Sequence, residues 1–468
     1  MIAVARQHDR TLDKKSLALF IVFNACFLAS FFIVPNAFAL LLAMTGLLGI
    51  SFFVLAIENF VESILLLTYV FSLGLVYTHL GLFPLLGGLF LITMVSVIRS
   101  LAQGVLHWKH ISFAVSLSLF IFMAGLSLFW GSPFMGGYRL FGLNLIGGLF
   151  IFLIAHFSVV SFRSLSFLTI FVIFIITMNG IYGIYDHLTV GGRAVSFIAN
   201  TPTYSGHFFV QGIALIACVS KLPEMKKARG LFGLAFLILV IALFFTLTRA
   251  AWLAIIFYFF IHTLFFKIRL HKVFIATALF IVVIITIFMV LGSQAFTAML
   301  FQRLLVDYQH VGQSYGSIAF RLLLWQSAWF IFKTNPVLGV GFDNFVSANS
   351  GTPNYAIIQG LGGDNLYAHN VYLQIMAEMG LIGISVFTFF LYSIYKKCRS
   401  ILLTMKTHKY RPLAVGYISV LLLWLFMALS EAALYTPLTS AFFFFILGIV
   451  SGINKNLEFN NQNEIVFV

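Results

Sequence analysis

The sequence predicts an all-α membrane protein that crosses a bilayer many times, and its composition carries the prediction. Of the 468 residues, 62% are hydrophobic and 9% are charged, and the mean hydropathy is +1.07. A soluble chain could not bury that much apolar surface in its own interior. Apolar runs of bilayer length, separated by short polar turns, recur along the chain. We therefore predict about 12–14 transmembrane helices.

The apolar runs are the elements of this architecture. A helix needs about 20 residues to cross the hydrocarbon core of a bilayer, and about 14 runs approach that length. The links between the first four runs are short, so their number stays open. The runs lie near residues 16–34, 36–57, 61–80, 81–98, 112–130, 142–160, 165–183, 204–220, 231–248, 250–266, 273–291, 371–394, 413–430 and 437–452.

The lysines and arginines orient the chain. With the N-terminus inside, 21 of the 27 fall on the cytoplasmic side, as the positive-inside rule requires. The net charge of +14 is therefore mainly an insertion signal, and no aromatic–basic module for nucleic acid accompanies it. The outer side keeps Arg139, Arg193, Arg249, Arg303, Arg321 and Lys333.

Three regions follow from this topology. Residues 1–291 form the first set of transmembrane helices and include a short outer loop at 184–203. Residues 292–370 form one long outer loop, and residues 371–468 form the last transmembrane helices and a cytoplasmic tail. Within the long loop, residues 318–333 have helical apolar spacing but are too short to span. Two tryptophans in this stretch favour a helix lying at the lipid–water interface.

Three outer arginines occupy positions that topology does not explain. Arg249 interrupts the apolar run 231–266, where an arginine in hydrocarbon costs about 2.5–3.5 kcal/mol unless a turn exposes it. Arg193 lies in the short outer loop, and Arg321 lies on the interfacial helix. Guanidinium groups bind phosphate oxygens through paired hydrogen bonds, so three converging arginines predict a diphosphate site. The alternatives are a snorkelling Arg249, an ordinary loop residue at 193 and a headgroup contact for Arg321.

A histidine at the mouth of a span completes the candidate site. His369 and Asn370 follow a long polar segment and precede the span at 371–394. A neutral imidazole accepts a proton near pH 7, which makes His369 a candidate general base. Its alternative role is helix capping or packing. Glu378 lies about two turns into the span, where facing lipid would be costly, and we expect a buried hydrogen bond in preference to catalysis.

The remaining polar residues predict neither a metal nor a cofactor. The acidic residues of the long loop, Asp307, Asp343 and Asp364, have no paired spacing. We interpret Asp343 and Asp364 as turn residues. The three cysteines are far apart and have no metal-ligand spacing.

Three motifs that contain these residues resemble the O-antigen ligase and O-antigen polymerase superfamily of bacterial envelope membrane proteins. They are TRAAWLA at 248–254, the run from Arg321 through NPVLGVGFDNF to Phe345, and HNVYLQIMAEMGLIG at 369–383. The last motif is the most specific. The three also match in order and spacing, and the matched region runs from about residue 190 to 385.

The resemblance implies a GT-C-like, metal-independent, inverting glycosyltransferase of the bacterial inner membrane. Its donor is a glycan on undecaprenyl pyrophosphate at the periplasmic face, and its acceptor is a hydroxyl of lipid A–core or of another glycan. The family's pattern assigns the donor pyrophosphate to Arg249 and Arg321, with Arg193 as a weaker addition. It assigns the acceptor step to His369. We add Asn370 and Glu378, which lie in the same motif, as supporting residues.

The acceptor stays open within this resemblance. A ligase joins polymer to lipid A–core, a polymerase joins repeat units to each other, and a related enzyme glycosylates proteins. We prefer the ligase. The alternative from another class is a transporter of lipid-linked oligosaccharide, which would place charged groups near mid-membrane between internal repeats. Here the candidate residues gather at one face, and no internal repeat is apparent. A purely structural membrane scaffold is disfavoured by the outer cations.

Overall fold

The structure, a computed structural model, contains only helices among the regular elements of the residues it describes. Six of the described helices are long and apolar enough to cross a membrane, which confirms the predicted class of polytopic helical membrane protein. The described residues are 111–131, 135–159, 161–199, 201–266, 317–360 and 367–465. Outside them lie the predicted spans near 16–34, 36–57, 61–80, 81–98 and 273–291.

The helices are numbered along the chain. They are α1 (Ala114–Ser127), α2 (Met135–Leu140), α3 (Gly147–Ser158), α4 (Phe162–Thr189), α5 (Pro202–Val219), α6 (Arg229–Phe245), α7 (Arg249–Phe266), α8 (Ser317–Thr334), α9 (Phe345–Asn349), α10 (Tyr355–Gly360), α11 (Val371–Thr404), α12 (Arg411–Met427) and α13 (Pro437–Ile465). A π-helical turn, Phe141–Ile146, joins α2 to α3, and a 3-10 turn, Pro223–Ala228, precedes α6. Each predicted span within the described residues corresponds to one of these helices.

Local sequence signals set the starts of several helices. The side chain of Ser161 accepts a hydrogen bond at the start of α4, in a reciprocal pair with Ser164. Thr201 caps α5 immediately before Pro202, whose fixed φ suits the first helical position. These caps satisfy backbone N–H groups that a helix start leaves without an intrahelical partner.

The loop between α4 and α5 is shorter than the predicted 184–203. Helix α4 continues to Thr189, beyond the predicted end of its apolar run. It stops at Gly191 and Gly192, whose φ angles are 78° and 82°, a conformation that residues with a side chain rarely adopt. Residues 184–189 are too polar to be predicted as part of a span from hydropathy, but they are helical.

Helix α5 is central to the described bundle. It packs against α4, α6, α7 and α12, while α13 packs against α3 and α12, and α1 packs against α11. Most residues of α5 are buried, including the polar residues Ser205, His207 and Gln211. A helix buried on most sides with polar residues inside is positioned to hold internal hydrogen bonds as well as apolar contacts.

Alternating helix directions define two ends of the bundle. The end we call the site end contains the starts of α5, α7, α11 and α13, and the opposite end contains the starts of α4, α6 and α12. Contacts between Thr248 and Pro202 bring together the starts of α7 and α5, and Arg411 contacts Phe265 at the opposite end. An 18-residue helix such as α5 separates these ends by about 27 Å.

Helix α8 confirms the helix predicted at 318–333. It is not among the described helices that are apolar enough to span. It packs against α11 and buries Leu324, Ala328 and Ile331, while Trp329 stays 47% exposed. One face of α8 is therefore packed on the bundle, and its location at a lipid interface stays a prediction.

Candidate active site

Two side chains predicted for the site, Arg321 and His369, meet on one buried carboxylate. Glu431 Oε1 accepts a hydrogen bond from Arg321 Nη2 at 2.5 Å, and Glu431 Oε2 lies 3.2 Å from His369 Nδ1. The Glu431 side chain is 3% exposed, whereas those of Arg321 and His369 are each 26% exposed. The carboxylate is hidden, and both of its partners retain access to the surface.

Glu431 lies in residues 428–436 between α12 and α13, which we call the Glu431 segment. Val371 N donates to Ala428 O at 3.0 Å, so the start of α11 holds one end of the segment. Asn144 Nδ2, from the π-helical turn, donates to Leu434 O at 3.1 Å. Contacts from two separate helical elements thus fix the loop that carries the carboxylate.

The surroundings of Glu431 favour its ionised form. Burial by itself raises the pKa of a carboxyl group, but the hydrogen bond from His369 and the charge of Arg321 outweigh it, so the pKa of Glu431 lies below its ordinary value. An ionised carboxylate accepts only, and it therefore selects the tautomer of neutral His369 that carries its proton on Nδ1. This leaves Nε2 as a proton acceptor, the arrangement of a histidine base oriented by a carboxylate.

The backbone at His369 is held in an uncommon conformation. His369 has a φ of 47°, which is rare for a residue with a side chain. Asn370 follows as the cap of α11, and its side-chain oxygen accepts from the N–H groups of Tyr372 and Leu373 at 3.0 Å each. The predicted supporting residue Asn370 is therefore a helix cap that fixes the position of its neighbour.

Arg193 and Arg249 form a second group at the site end. Arg193 Nε donates to Thr246 O at 2.8 Å, and its Nη2 donates to Thr248 Oγ1 at 3.1 Å. Arg249 is the first residue of α7, after a turn in which Leu247 has a φ of 49°. The turn predicted before Arg249 is present. A cation at a helix N-terminus opposes the helix dipole, and an anion is favoured there.

Helix α5 connects this arginine group to the Glu431 segment. Thr248 Oγ1 donates to Pro202 O at 3.0 Å, and the Tyr204 hydroxyl lies 2.7 Å from Thr436 Oγ1. One turn further along α5, His207 is 3% exposed, and within the described contacts its Nε2 has no hydrogen-bond partner. The three arginines predicted for the site, Arg193, Arg249 and Arg321, therefore lie at one end of the bundle around the start of α5.

Glu378 forms a separate network of neutral donors. Its side chain is fully buried and accepts hydrogen bonds from Asp343 N at 3.0 Å and Phe345 N at 3.2 Å. Gln374 Nε2 donates to it at 3.1 Å and the Tyr435 hydroxyl at 2.5 Å. The hydrogen bond expected for Glu378 is thus present fourfold. The carboxylate fastens the NPVLGVGFDNF loop to α11 and to the Glu431 segment.

A break in α11 at Gly380 allows the NPVLGVGFDNF loop to contact the backbone of this helix. Gly380 has a φ of 63°, and Gly339 opposite has a φ of 67°. The break frees backbone groups, so that Gly341 N donates to Glu378 O at 2.7 Å and Leu381 N donates to Pro336 O at 2.8 Å. A Cβ atom at Gly380 would overlap the backbone of Val337. Glycine is required at this position by both conformation and space.

Asp343 lies in a turn of the same loop, as predicted, with a φ of 63°. The Tyr367 hydroxyl donates to its Oδ1 at 3.0 Å. Burial raises the pKa of Asp343 to about 6, against the opposing effect of that hydrogen bond. Asp307 and Asp364 lie outside the described residues. Among the residues that are described, no three His, Cys, Asp or Glu side chains are grouped to hold a metal ion.

Glu431 was not predicted from the sequence. It lies in MALSEAALYTP between two apolar runs, and a carboxylate at such a position is costly unless it is paired. The same cost identified the outer arginines as candidates, and it applies equally to Glu431. Its contact with His369, 62 positions away, depends on the antiparallel return of α12 and could not be read from spacing.

The fold and the site together define a polytopic helical membrane protein with a carboxylate-oriented histidine and several arginines at one end of its bundle. Residues 234–388 match the family described as O-antigen ligase. The match covers roughly a third of the chain, and it includes Arg249, Arg321, His369 and Glu378. It supports membership of the O-antigen ligase and polymerase superfamily and confirms the predicted resemblance. None of the curated proteins searched matches the chain.

Proposed function

We propose that the protein transfers a glycan from undecaprenyl pyrophosphate to an acceptor hydroxyl at the periplasmic face of the bacterial inner membrane, as an O-antigen ligase acting on lipid A–core. The observation that carries this proposal is the contact of Glu431 with both Arg321 and His369. A base and a phosphate-binding cation on one carboxylate suit the two halves of a glycosyl transfer.

His369 is the proposed general base. Nε2 takes the proton of the acceptor hydroxyl as its oxygen attacks the anomeric carbon. The bond from that carbon to the pyrophosphate oxygen breaks, and its electron pair stays on the pyrophosphate. The resulting imidazolium is stabilised by the adjacent Glu431 carboxylate. A single displacement from the opposite face gives inversion at the anomeric carbon.

The arginines are proposed to hold the leaving group. Arg249 at the start of α7 and Arg193, bound to the preceding turn, supply positive charge beside the exposed N–H groups of a helix start. Arg321 donates a hydrogen bond from Nη2 to Glu431, and its other N–H groups are proposed to bind phosphate oxygens. Fixed cations of this kind stabilise the charge that develops on a pyrophosphate leaving group, and we propose that the reaction needs no metal ion.

The position of these groups at one end of the bundle supports a glycosyltransferase over a transporter. A transporter is expected to place charged groups near the membrane centre, between repeats. Here Arg193, Arg249 and Glu431 lie at helix ends or in the loops between helices. The lysine and arginine distribution of the sequence, interpreted by the positive-inside rule, supports a periplasmic location for the site end.

The test is the surface polysaccharide of cells that lack the protein and carry either the wild-type gene, Glu431→Gln or the control Glu224→Gln. Glu224 lies at the opposite end, where it contacts Lys409 at 3.7 Å. Lipopolysaccharide gels, with measurement of undecaprenyl-linked polymer, read out the transfer. The proposal predicts that Glu431→Gln loses the polymer ladder on lipid A–core and accumulates lipid-linked polymer, while Glu224→Gln behaves as wild type.

The other outcomes separate the alternatives. A core that carries a single repeat unit would identify a polymerase. An unchanged ladder with loss of glycan from proteins would identify a protein glycosyltransferase. Lipid-linked glycan confined to the cytoplasmic leaflet would identify a transporter and contradict the proposal.

A further inference from the structure

The opposite end of the bundle carries a concentration of positive charge that the proposed reaction does not use. The segments 220–229 and 405–411 contain seven lysines and arginines and one acidic residue, Glu224. Glu224 contacts Lys409 at 3.7 Å, so the remaining cations of these two segments have no carboxylate from within them.

Lys221 is held by neutral groups. Its Nζ lies 2.8 Å from His262 Nε2 and 3.3 Å from the ring centroid of Phe266. A lysine ammonium only donates, so His262 Nε2 accepts, and Nδ1 carries the proton toward the Tyr258 hydroxyl at 2.9 Å. The Tyr258 hydroxyl in turn donates to Ala214 O at 3.3 Å. This chain of hydrogen bonds fixes the lysine in place without an opposing charge.

Arg411 lies beside the same aromatic ring. Its Cζ is 5.8 Å from the ring centroid of Phe266, and its Nη2 donates to Phe265 O at 2.8 Å. Its Nε is buried and has no hydrogen-bond partner within the described part of the chain.

Burial lowers the pKa of Lys221, and the nearby charge of Arg411 lowers it further.

The placement of Arg411 adds to the positive potential. It is the first residue of α12, where the helix dipole is positive and disfavours a cation. Within the described residues, Lys221 and Arg411 share the ring of Phe266 and contact neutral groups. Two such like charges are stabilised when an anion binds between them. A phosphate group suits an ammonium and a guanidinium that lie beside the same ring.

We propose that Lys221 and Arg411 form a binding site for the phosphate group of an anionic membrane lipid. The site lies at the far ends of α5 and α7, each 18 residues long, and therefore about 27 Å from the site end. That distance is close to the thickness of the hydrocarbon core, about 30 Å. The cluster thus lies at headgroup depth in the leaflet opposite the candidate active site.

The experiment uses the purified full-length protein and three additives: phosphatidylglycerol, phosphatidylcholine and inorganic phosphate. Lipid retention is measured by native mass spectrometry, and the melting temperature is measured with each additive. The test variant is Lys221→Gln with Arg411→Gln. The matched control, Lys226→Gln with Lys227→Gln, removes the same charge from the same end of the bundle. A second variant, Lys221→Arg with Arg411→Lys, keeps both charges.

The proposal predicts that phosphatidylglycerol binds the wild type, the control and the charge-conserving variant, and that the Gln pair weakens this binding on the order of tenfold. Phosphatidylcholine is expected to give no comparable retention. Equal retention by the Gln pair and the control would overturn the proposal, as would an equal loss in both. Stabilisation by inorganic phosphate equal to that by phosphatidylglycerol would assign the site to free phosphate and overturn the lipid assignment. Loss of binding in the charge-conserving variant would also contradict it.

Discussion

Glu378 and Glu431, 53 positions apart, are both buried, but their side chains have different kinds of partner. Glu431 contacts the guanidinium of Arg321 and the ring of His369, and both partners are partly exposed. Glu378 contacts two backbone N–H groups, an amide and a phenol, all inside the fold. The partners of Glu431 are able to meet a substrate, whereas those of Glu378 hold the scaffold.

Burial alone does not identify a reactive carboxylate. Both side chains are almost completely buried, and both would be costly without partners. The difference lies in whether the partners carry charge and reach the surface. The two networks meet in the Glu431 segment, because Tyr435 binds Glu378 and lies four residues after Glu431.

The largest effect is expected from His369→Ala. Loss of the base should reduce glycan transfer by a factor on the order of 10²–10⁴. The melting temperature should fall only modestly, because Arg321 remains as a partner of Glu431 and the His369 side chain is 26% exposed. Transfer is measured with purified protein and a lipid-linked donor. The control is His408→Ala at the opposite end, where the ring packs on Phe162 at 4.9 Å. Wild-type transfer by His369→Ala would separate this residue from the reaction.

Glu378→Ala tests the other side of the comparison. It leaves several buried donors without an acceptor, and we expect a loss of unfolding free energy on the order of 3 kcal/mol or more. Thermal unfolding and the yield of membrane-inserted protein measure it. Glu378→Gln retains one acceptor oxygen and should be milder. A stable Glu378→Ala protein that is inactive in transfer would instead give Glu378 a direct role in the reaction.

Asn370→Ala should have an intermediate effect. Removing a helix cap costs about 1 kcal/mol, and the loss falls next to His369, which the cap positions. We expect a small drop in melting temperature and a fall in transfer of about tenfold. Asn370→Ser retains a capping oxygen and should restore most of both. If serine fails to restore transfer while restoring stability, the amide itself takes part in the site.

Asp343→Asn is expected to have the smallest effect on transfer, and its effect on stability depends on pH. The pKa of Asp343 is raised from 3.8 to about 6 in the folded protein, so folding favours the protonated form. The stability linked to that proton is complete below pH 3.8 and is lost as the pH rises through about 6. Wild type should therefore lose stability relative to Asp343→Asn over this interval. Melting temperatures of both proteins from pH 4 to 8 test this, and a constant difference would contradict it.

Much of the helical architecture was predictable because hydropathy and charge report directly on a membrane environment. Runs such as 250–266 match their helices closely. The end of α4 was predicted too early, since residues 184–189 are helical without being strongly apolar. The break at Gly380 was not predicted, because it depends on a loop more than 35 residues earlier that enters the helix backbone.

Individual site residues were predictable where a charge is costly in the membrane. The contacts between them were not, because they depend on tertiary structure. Arg249, Arg321 and His369 stand out in the sequence, and Arg321 and His369 share a carboxylate in the structure. That carboxylate is supplied by a loop more than 60 residues beyond His369. Its cost between two apolar runs could have marked it, but its contact with His369 could not be predicted from spacing. The roles of all these residues in transfer stay predictions.

We propose that Glu431 orients His369 for transfer, and the rate of transfer by purified Glu431→Gln tests this role most directly. Glutamine keeps the shape of the side chain and removes the charge that selects the histidine tautomer and stabilises the imidazolium. We expect a fall in rate on the order of 10²-fold or more in a protein that remains folded, with Glu224→Gln unaffected. A folded Glu431→Gln protein that transfers glycan at the wild-type rate would contradict the claim.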